Sequence, residues 1–511
     1  MRLLFLLAAV PLLAQRGGND WMTDGFDAQR SSWVRNDVKI NPASMMKPGF
    51  GFVWKLATGN TPRGSNALTP PALIDFYIGY RGFRTLGFLT GSSDRIVAID
   101  TDLGRVEWEK KLSDQALPAP TPACPGGVTA SATRPLASVL YPPPPTGGGF
   151  GRGNPARSAV GEPREGAVTL RAAAPPAAPP KPPPAGAKPV ATAPSPFVPR
   201  VQWVASIGSD GKLHLMWISN GNEPNPAIPF LPANANASGL VIFDEHAYAV
   251  TSNGCGGVDD GVWMLDIATK RVEHWKSPSP NVAGPAIGPD GTLYVASGSD
   301  LVALEPKTLR VKYRRTTGGR QLTSMPAVFS WKDRDLVAAA TDNGAIFLFD
   351  SQNVYPGTSL VANAAPHGLA TWVDPAGERW ILAAVNGAVP SEGFRSTNGP
   401  VADGAIVAWK VVEKNGAPAV ERGWVSPNMV SPKPPLIING VVFAAAGGRA
   451  GGPNAILYAL DSVTGKDVWS SGNQIHSYVT TGGLSAGGSR VYISTHDGVQ
   501  YAFGFPIETL D

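Results

Sequence analysis

The sequence predicts an all-β fold, an eight-bladed β-propeller, on three observations. A strand motif recurs along the chain at blade-sized intervals, the composition is rich in turn residues, and the last blade lacks a strand that a segment near the N-terminus can supply. The motif is a β-branched strand, a Gly/Asp/Asn turn and a further strand ending apolar-Ala-apolar-Asp, as in Tyr458-Ala459-Leu460-Asp461. Copies stand at Val97 to Asp100, Trp263 to Asp266, Val302 to Glu305, Phe347 to Asp350, Val407 to Lys410 and Tyr501 to Gly504, with Leu213 to Trp217 a degenerate eighth. The turns before these strands fall near Asp94, Asp210, Asp260, Asp300, Asn343, Asp403, Pro453 and Asp497, spaced 40 to 60 residues apart except for one interval of 116. The 59 Gly and 50 Pro suit many short strands joined by tight turns and disfavour a helical architecture.

The long interval contains 142–199, dense in Pro, Ala and Gly, which cannot bury enough apolar surface to fold and reads as a disordered insertion within blade 2. Without those 58 residues the interval shrinks to one blade length. The last blade, around Val491 to Phe503, ends without an outer strand, and Phe52 to Thr58, containing Trp54, is expected to complete it and close the ring of four-stranded blades. Ahead of the propeller, 20–511, residues 1–15 read as a secretory signal peptide: Arg2, an apolar run Leu3 to Leu13, then a cleavage point near Ala14 to Gln15. The run is too short for a permanent membrane helix, and no later stretch is long enough. No Cys follows it to carry a lipid. The expected location is therefore periplasmic or secreted.

Charge is sparse, 43 Lys and Arg against 39 Asp and Glu, which argues against a nucleic-acid binder with a dense basic surface. The sequence has neither a Gly-x-Ser-x-Gly elbow nor a phosphate-cradling Gly-Lys-Ser/Thr loop. The six His (His214, His246, His274, His367, His476 and His496) show no zinc spacing. His367 and His476 precede inner strands and are candidates for the channel mouth; otherwise they are ordinary hydrogen-bonded or surface His. Asp259, Asp260 and Asp497 sit in Asp-Gly-type turns that favour Asp for backbone reasons alone, with Asp259 also a mouth candidate. Two Cys in an exported chain suggest a Cys124–Cys255 disulfide, with two buried thiols or a metal or redox role as alternatives.

Thr464-Gly465-Lys466-Asp467-Val468-Trp469 after Ala459-Leu460-Asp461, echoed by Leu103 to Trp108, resembles the tryptophan-docking repeat of quinoprotein alcohol dehydrogenases. Asp20-Trp21, Arg30, Ile40-Asn41-Pro42 and Phe52-Val53-Trp54 look like the N-terminal segment of the same enzymes. The resemblance implies an eight-bladed propeller with Trp108, Trp275 and Trp469 packed between blades. It also implies a pyrroloquinoline quinone and Ca²⁺ site, and there the sequence departs from the family. Where the family has two adjacent cysteines followed by an arginine for the quinone carboxylates, this chain has Cys124-Pro125 and then Arg134, the cofactor-binding candidate. Cys255 stands for the calcium-ligating Glu, Ser299 for the ligating Asn, and Asp342 for the Lys that touches the quinone oxygens. The segment matching the catalytic Asp, Thr316 to Thr323, has no carboxylate, and no Cys-x-x-Cys-His is present to hold a haem.

The function expected from these residues is an exported, non-catalytic binding or scaffolding module that takes a protein partner or small ligand at the propeller mouth. The alternatives are a periplasmic quinone-dependent alcohol or sugar dehydrogenase, a sensor that binds quinone or sugar without turnover, and a scaffold like the propeller subunit of the outer-membrane protein assembly complex.

Overall fold

The computed structural model describes residues 20–79, 82–136, 203–280, 282–357, 365–480 and 482–506. Residues 1–15, expected to be a signal peptide, and 142–199, expected to be an insertion, lie outside the described residues. Strands form eight separate sheets, and these are the eight blades of a propeller. Blade 1 is the simplest: Ala72–Gly79, Gly82–Gly91, Arg95–Asp100 and Arg105–Lys111 pair antiparallel in chain order, inner strand to outer. Continuous apolar runs bury both faces of the middle strands against the neighbouring blades, as in Ile96-Val97-Ala98-Ile99, where Ile96 and Ala98 face one side and Val97 and Ile99 the other. Blades 3, 4, 5, 6 and 7 repeat the plan with inner strands Ala237–Phe243, Val282–Ile287, Ala327–Trp331, Pro366–Val373 and Leu436–Ile438.

Blade 8 is closed as the sequence leads one to expect: Gly51–Ala57 pairs antiparallel with Val499–Gly504 as its outer strand. Blade 2 departs from the four-stranded plan. Among the described residues it has three strands, Trp203–Ile207, Lys212–Trp217 and Ile228–Pro229, and its inner edge is reduced to one bridge between Thr133 and Ala205. The residues beyond that bridge, Pro135–Leu136, pair parallel with Ile242 and Phe243 of blade 3 instead. Pro135 has no N–H to give a ladder, which suits it to this edge position.

Indole rings lock adjacent blades. Trp54 of blade 8 donates Nε1–H to the Thr101 carbonyl of blade 1 at 2.7 Å, Trp108 of blade 1 to Ile218 of blade 2 at 2.9 Å, and Trp424 of blade 6 to Ser462 of blade 7 at 2.8 Å. Each ring lies on a glycine of the receiving turn, Gly104, Gly221 and Gly465, with positive φ. A Cβ at Gly465 would stand 2.2 Å from the Trp424 ring, so the turn geometry and the close approach both demand glycine. Trp469 makes an edge contact with Phe50 at 4.9 Å and with Phe503 of blade 8 at 5.7 Å. Trp275 packs on the core shared by blades 3 and 4, with Arg314 over its ring.

Candidate functional site

The segment from Asp20 to Asp37 runs once around the central channel and bonds every blade in order. Trp21 O accepts from Leu73 N (blade 1), Met22 O from Arg134 N (blade 2), Ala28 O from Ile287 N (blade 4), Gln29 O from Val328 N (blade 5), Ser31 O from Thr371 N (blade 6) and Ser32 O from Ile437 N (blade 7). Thr23 donates its hydroxyl to Leu240 O of blade 3, and Ser489 of blade 8 donates to Asp37. Trp33–Val34 joins blade 7 as a parallel strand. Left-handed backbone at Gly25, Phe26, Arg30 and Ser32 bends the segment into this circuit. In blades 7 and 8 it reaches Asn439 and Ser489, in the turns that follow the inner strands, so it straps the end of the channel where those strands finish.

Charged groups inside the strap are hydrogen-bonded within the chain. Arg30 is buried and donates to the carbonyls of Pro285, Gly239 and Asp24; burial lowers it to about 10, still protonated at neutral pH. Asp27 accepts from both the backbone and the hydroxyl of Ser31, with Arg35 at 3.7 Å. Arg134, expected to meet a cofactor carboxylate, has an exposure of 0% and donates to Asp20 Oδ2 at 2.8 Å, while Asp20 Oδ1 accepts from Asp75 N. The strap therefore supplies from within the chain the carboxylate that Arg134 holds.

The other end of the channel, where the inner strands begin, carries the remaining sequence candidates. Cys124 and Cys255 are joined by a disulfide with Cα atoms 5.5 Å apart, tying the loop after blade 1 to a turn of blade 3 across blade 2. Asn253 donates Nδ2–H to Ala123 O beside it. Asp259 is on the rim and pairs with Lys276 at 3.0 Å, and Asp260 accepts from Asn253 N and Gly254 N, the turn role anticipated for it. Asp342 and His476 are exposed. His367 is partly buried with Nε2–H facing Pro432 O at 3.2 Å, and burial pushes it below the ordinary imidazole value. These candidates share one end of the molecule but do not converge on a point.

The sequence reading missed Lys433, which shares this mouth with His367; its signal was a lone cation among prolines, Pro432-Lys433-Pro434-Pro435, just before an inner strand. It also missed a cleft of about 440 Å³ between blades 1 and 2, lined by Lys111, Asp114, Asp210, Lys212 and His214 among others. In that cleft Lys111 pairs with Asp114, Lys212 with Asp210, and His214 Nδ1 with Glu223 at 2.6 Å.

The residues at the positions implied for a quinone and calcium do not fit them. Ca²⁺ takes six to eight hard oxygens. Here Cys255 is consumed by the disulfide, Ser299 offers a neutral hydroxyl, and no three His, Cys, Asp or Glu side chains converge as a metal set among the described residues. Arg134 is already engaged by Asp20.

No protein-family model and no curated protein sequence matches the chain. Among solved structures it is similar to the quinohemoprotein alcohol dehydrogenase of Comamonas testosteroni, with TM-score 0.55 and 13% identity over 97% of this chain and 82% of that one. A quinohemoprotein alcohol dehydrogenase of Pseudomonas putida HK5 aligns with TM-score 0.59 and 12% identity over 97% of this chain and 81% of that one. A europium-containing methanol dehydrogenase aligns with TM-score 0.53 and 10% identity over 96% of this chain and 98% of that one. At these identities the likeness speaks to fold: the chain is an eight-bladed propeller of the kind on which quinoprotein dehydrogenases are built.

Proposed function

We propose that the protein is an exported, non-catalytic propeller that binds a small ligand or a partner at the mouth opposite its strap. The observation that carries this reading is that Arg134, expected to meet a quinone carboxylate, lies instead on the strap against Asp20, at the end of the channel away from the mouth that holds Cys124 and Cys255. The changed positions Cys255, Ser299 and Asp342 agree with it, as does the absence of a carboxylate in Thr316 to Thr323. Alcohol oxidation on a quinone needs a base for the hydroxyl proton and a metal or equivalent electrophile at the carbonyls. The export reading rests on the N-terminal sequence, and among the described residues no helix is long and apolar enough to cross a membrane. Dye-linked oxidation of primary alcohols and glucose, with added pyrroloquinoline quinone and calcium, tests the proposal. No turnover above the protein-free rate is expected; turnover that saturates with the quinone would overturn it.

A further inference from the structure

We propose that Lys433, at the open mouth between blades 7 and 8, anchors an anion site that takes the carboxylate of a small organic acid. The proposal rests on the reading of this mouth as the binding face and names the chemistry it would recognise. Lys433 precedes Leu436–Ile438, and its backbone N–H donates to Ala445 O at 2.9 Å, which fixes where the side chain leaves the wall. The stem crosses Gly447, where a Cβ would stand 2.4 Å from Lys433 Cε, so the glycine makes the path for it. Pro434 meets Gly368 of blade 6 on one side and Gly483 at the start of blade 8 on the other, which places this stretch where neighbouring inner strands converge.

At the end of that path the ammonium is poorly satisfied. Nζ reaches the Thr480 carbonyl at 3.4 Å, beyond the ordinary length of such a bond, and no Asp or Glu pairs with it among the described residues. Elsewhere lysines find carboxylates: Lys212 with Asp210, Lys276 with Asp259, Lys312 with Asp290 and Lys410 with Glu378. Burial pushes Lys433 below its ordinary value, with no acid to offset the loss of water. Lys433 is intermediate in exposure, neither sealed in the core nor free in solvent.

The groups around it are polar and neutral. His367 faces Pro432 O, and His496 shares a hydrogen bond with the Thr480 hydroxyl at 3.0 Å and stacks on Tyr478 at 4.6 Å. Burial lowers both imidazoles, so near neutral pH they surround the ammonium with dipoles and leave its charge uncancelled. A half-desolvated cation in such a setting gains most from an anion brought by the ligand. One ammonium, a point charge, balances a single carboxylate, whereas a phosphate dianion is held better where a forked arginine or a cradle of backbone N–H groups stands beside the lysine.

Thermal melting at fixed ionic strength, with succinate, inorganic phosphate or chloride as the added anion, tests the assignment. Succinate is expected to raise the melting temperature saturably and phosphate to act more weakly. Lys433→Met should weaken the response to succinate by about tenfold or more, the usual worth of a hydrogen bond to a charged group. Without succinate the same variant should melt no lower than the wild type, because it removes a charge that lacks a partner, and Lys433→Arg should keep the response. The proposal is overturned by an unchanged response in Lys433→Met, by no saturable response in the wild type, by a preference for phosphate, or by Lys433→Met melting several degrees lower without anion. Quinone-dependent turnover would overturn the non-catalytic reading without altering these melting curves, so the two failures are separable.

Discussion

Gly465 and Gly416 share a backbone conformation, with φ of 71° and 76°, but not a neighbourhood. Nothing lies within 4 Å of a Cβ built on Gly416, whereas one on Gly465 would run into the Trp424 ring. Gly416→Ala should therefore cost about 1 kcal/mol, the strain of a left-handed alanine alone. Gly465→Ala should cost about 3 kcal/mol, because strain is joined by overpacking and displacement of the Trp424 indole from Ser462 O. Urea denaturation of the two variants measures the difference; equal costs would show that the docking contact contributes nothing.

His367 gives a pH dependence with a definite sign. Its folded value lies below the ordinary one because of burial, so as pH falls the unfolded chain takes up the proton first. Its effect is negligible above about pH 6.5, and stability is lost as pH drops from there towards the folded value. Replacing it as His367→Gln should flatten the decline in unfolding free energy between about pH 7 and pH 5; a decline as steep as that of the wild type would remove His367 as a cause. At this scale the sequence was legible where chemistry is local. Asp260 could be placed in its turn from its neighbours, but Asp20 and Arg134 are 114 positions apart, and no local rule pairs them.

Among elements, the repeating strands were readable because each blade repeats one hydrophobic pattern and one turn, and the Phe52 to Thr58 strand because a blade was visibly short of one. The strap was not readable. Asp20 to Asp37 has no strand or helix period, and its order comes from bonds to residues of all eight blades that are distant in sequence. Blade 2 was only partly readable, since the crossing of Pro135–Leu136 to blade 3 follows from tertiary pairing that composition does not encode. The disulfide spans this weak blade by joining positions on either side of it. A Cys124→Ser, Cys255→Ser double variant should lose about 2–4 kcal/mol, mostly through a less constrained unfolded chain. Guanidinium denaturation with and without reductant checks this: reductant should lower the midpoint of the wild type and leave the variant unchanged.

On the scale of the whole molecule, the ring is closed by a strand from each end of the propeller in blade 8, and the channel is closed at one end by the strap. Eight blades, three of whose junctions carry an indole-to-carbonyl contact, make a ring whose end opposite the strap gathers loops from several blades. That arrangement can serve catalysis or binding, and fold alone does not choose between them. Binding is favoured over catalysis by the placement of Arg134 against Asp20 on the strap and by Cys255 and Ser299 in place of the expected ligands. Equilibrium dialysis of pyrroloquinoline quinone against the full chain, with and without calcium, tests that choice most directly. A non-catalytic propeller should retain no quinone in either condition, whereas one quinone retained per chain in a calcium-dependent manner would show a working quinone site.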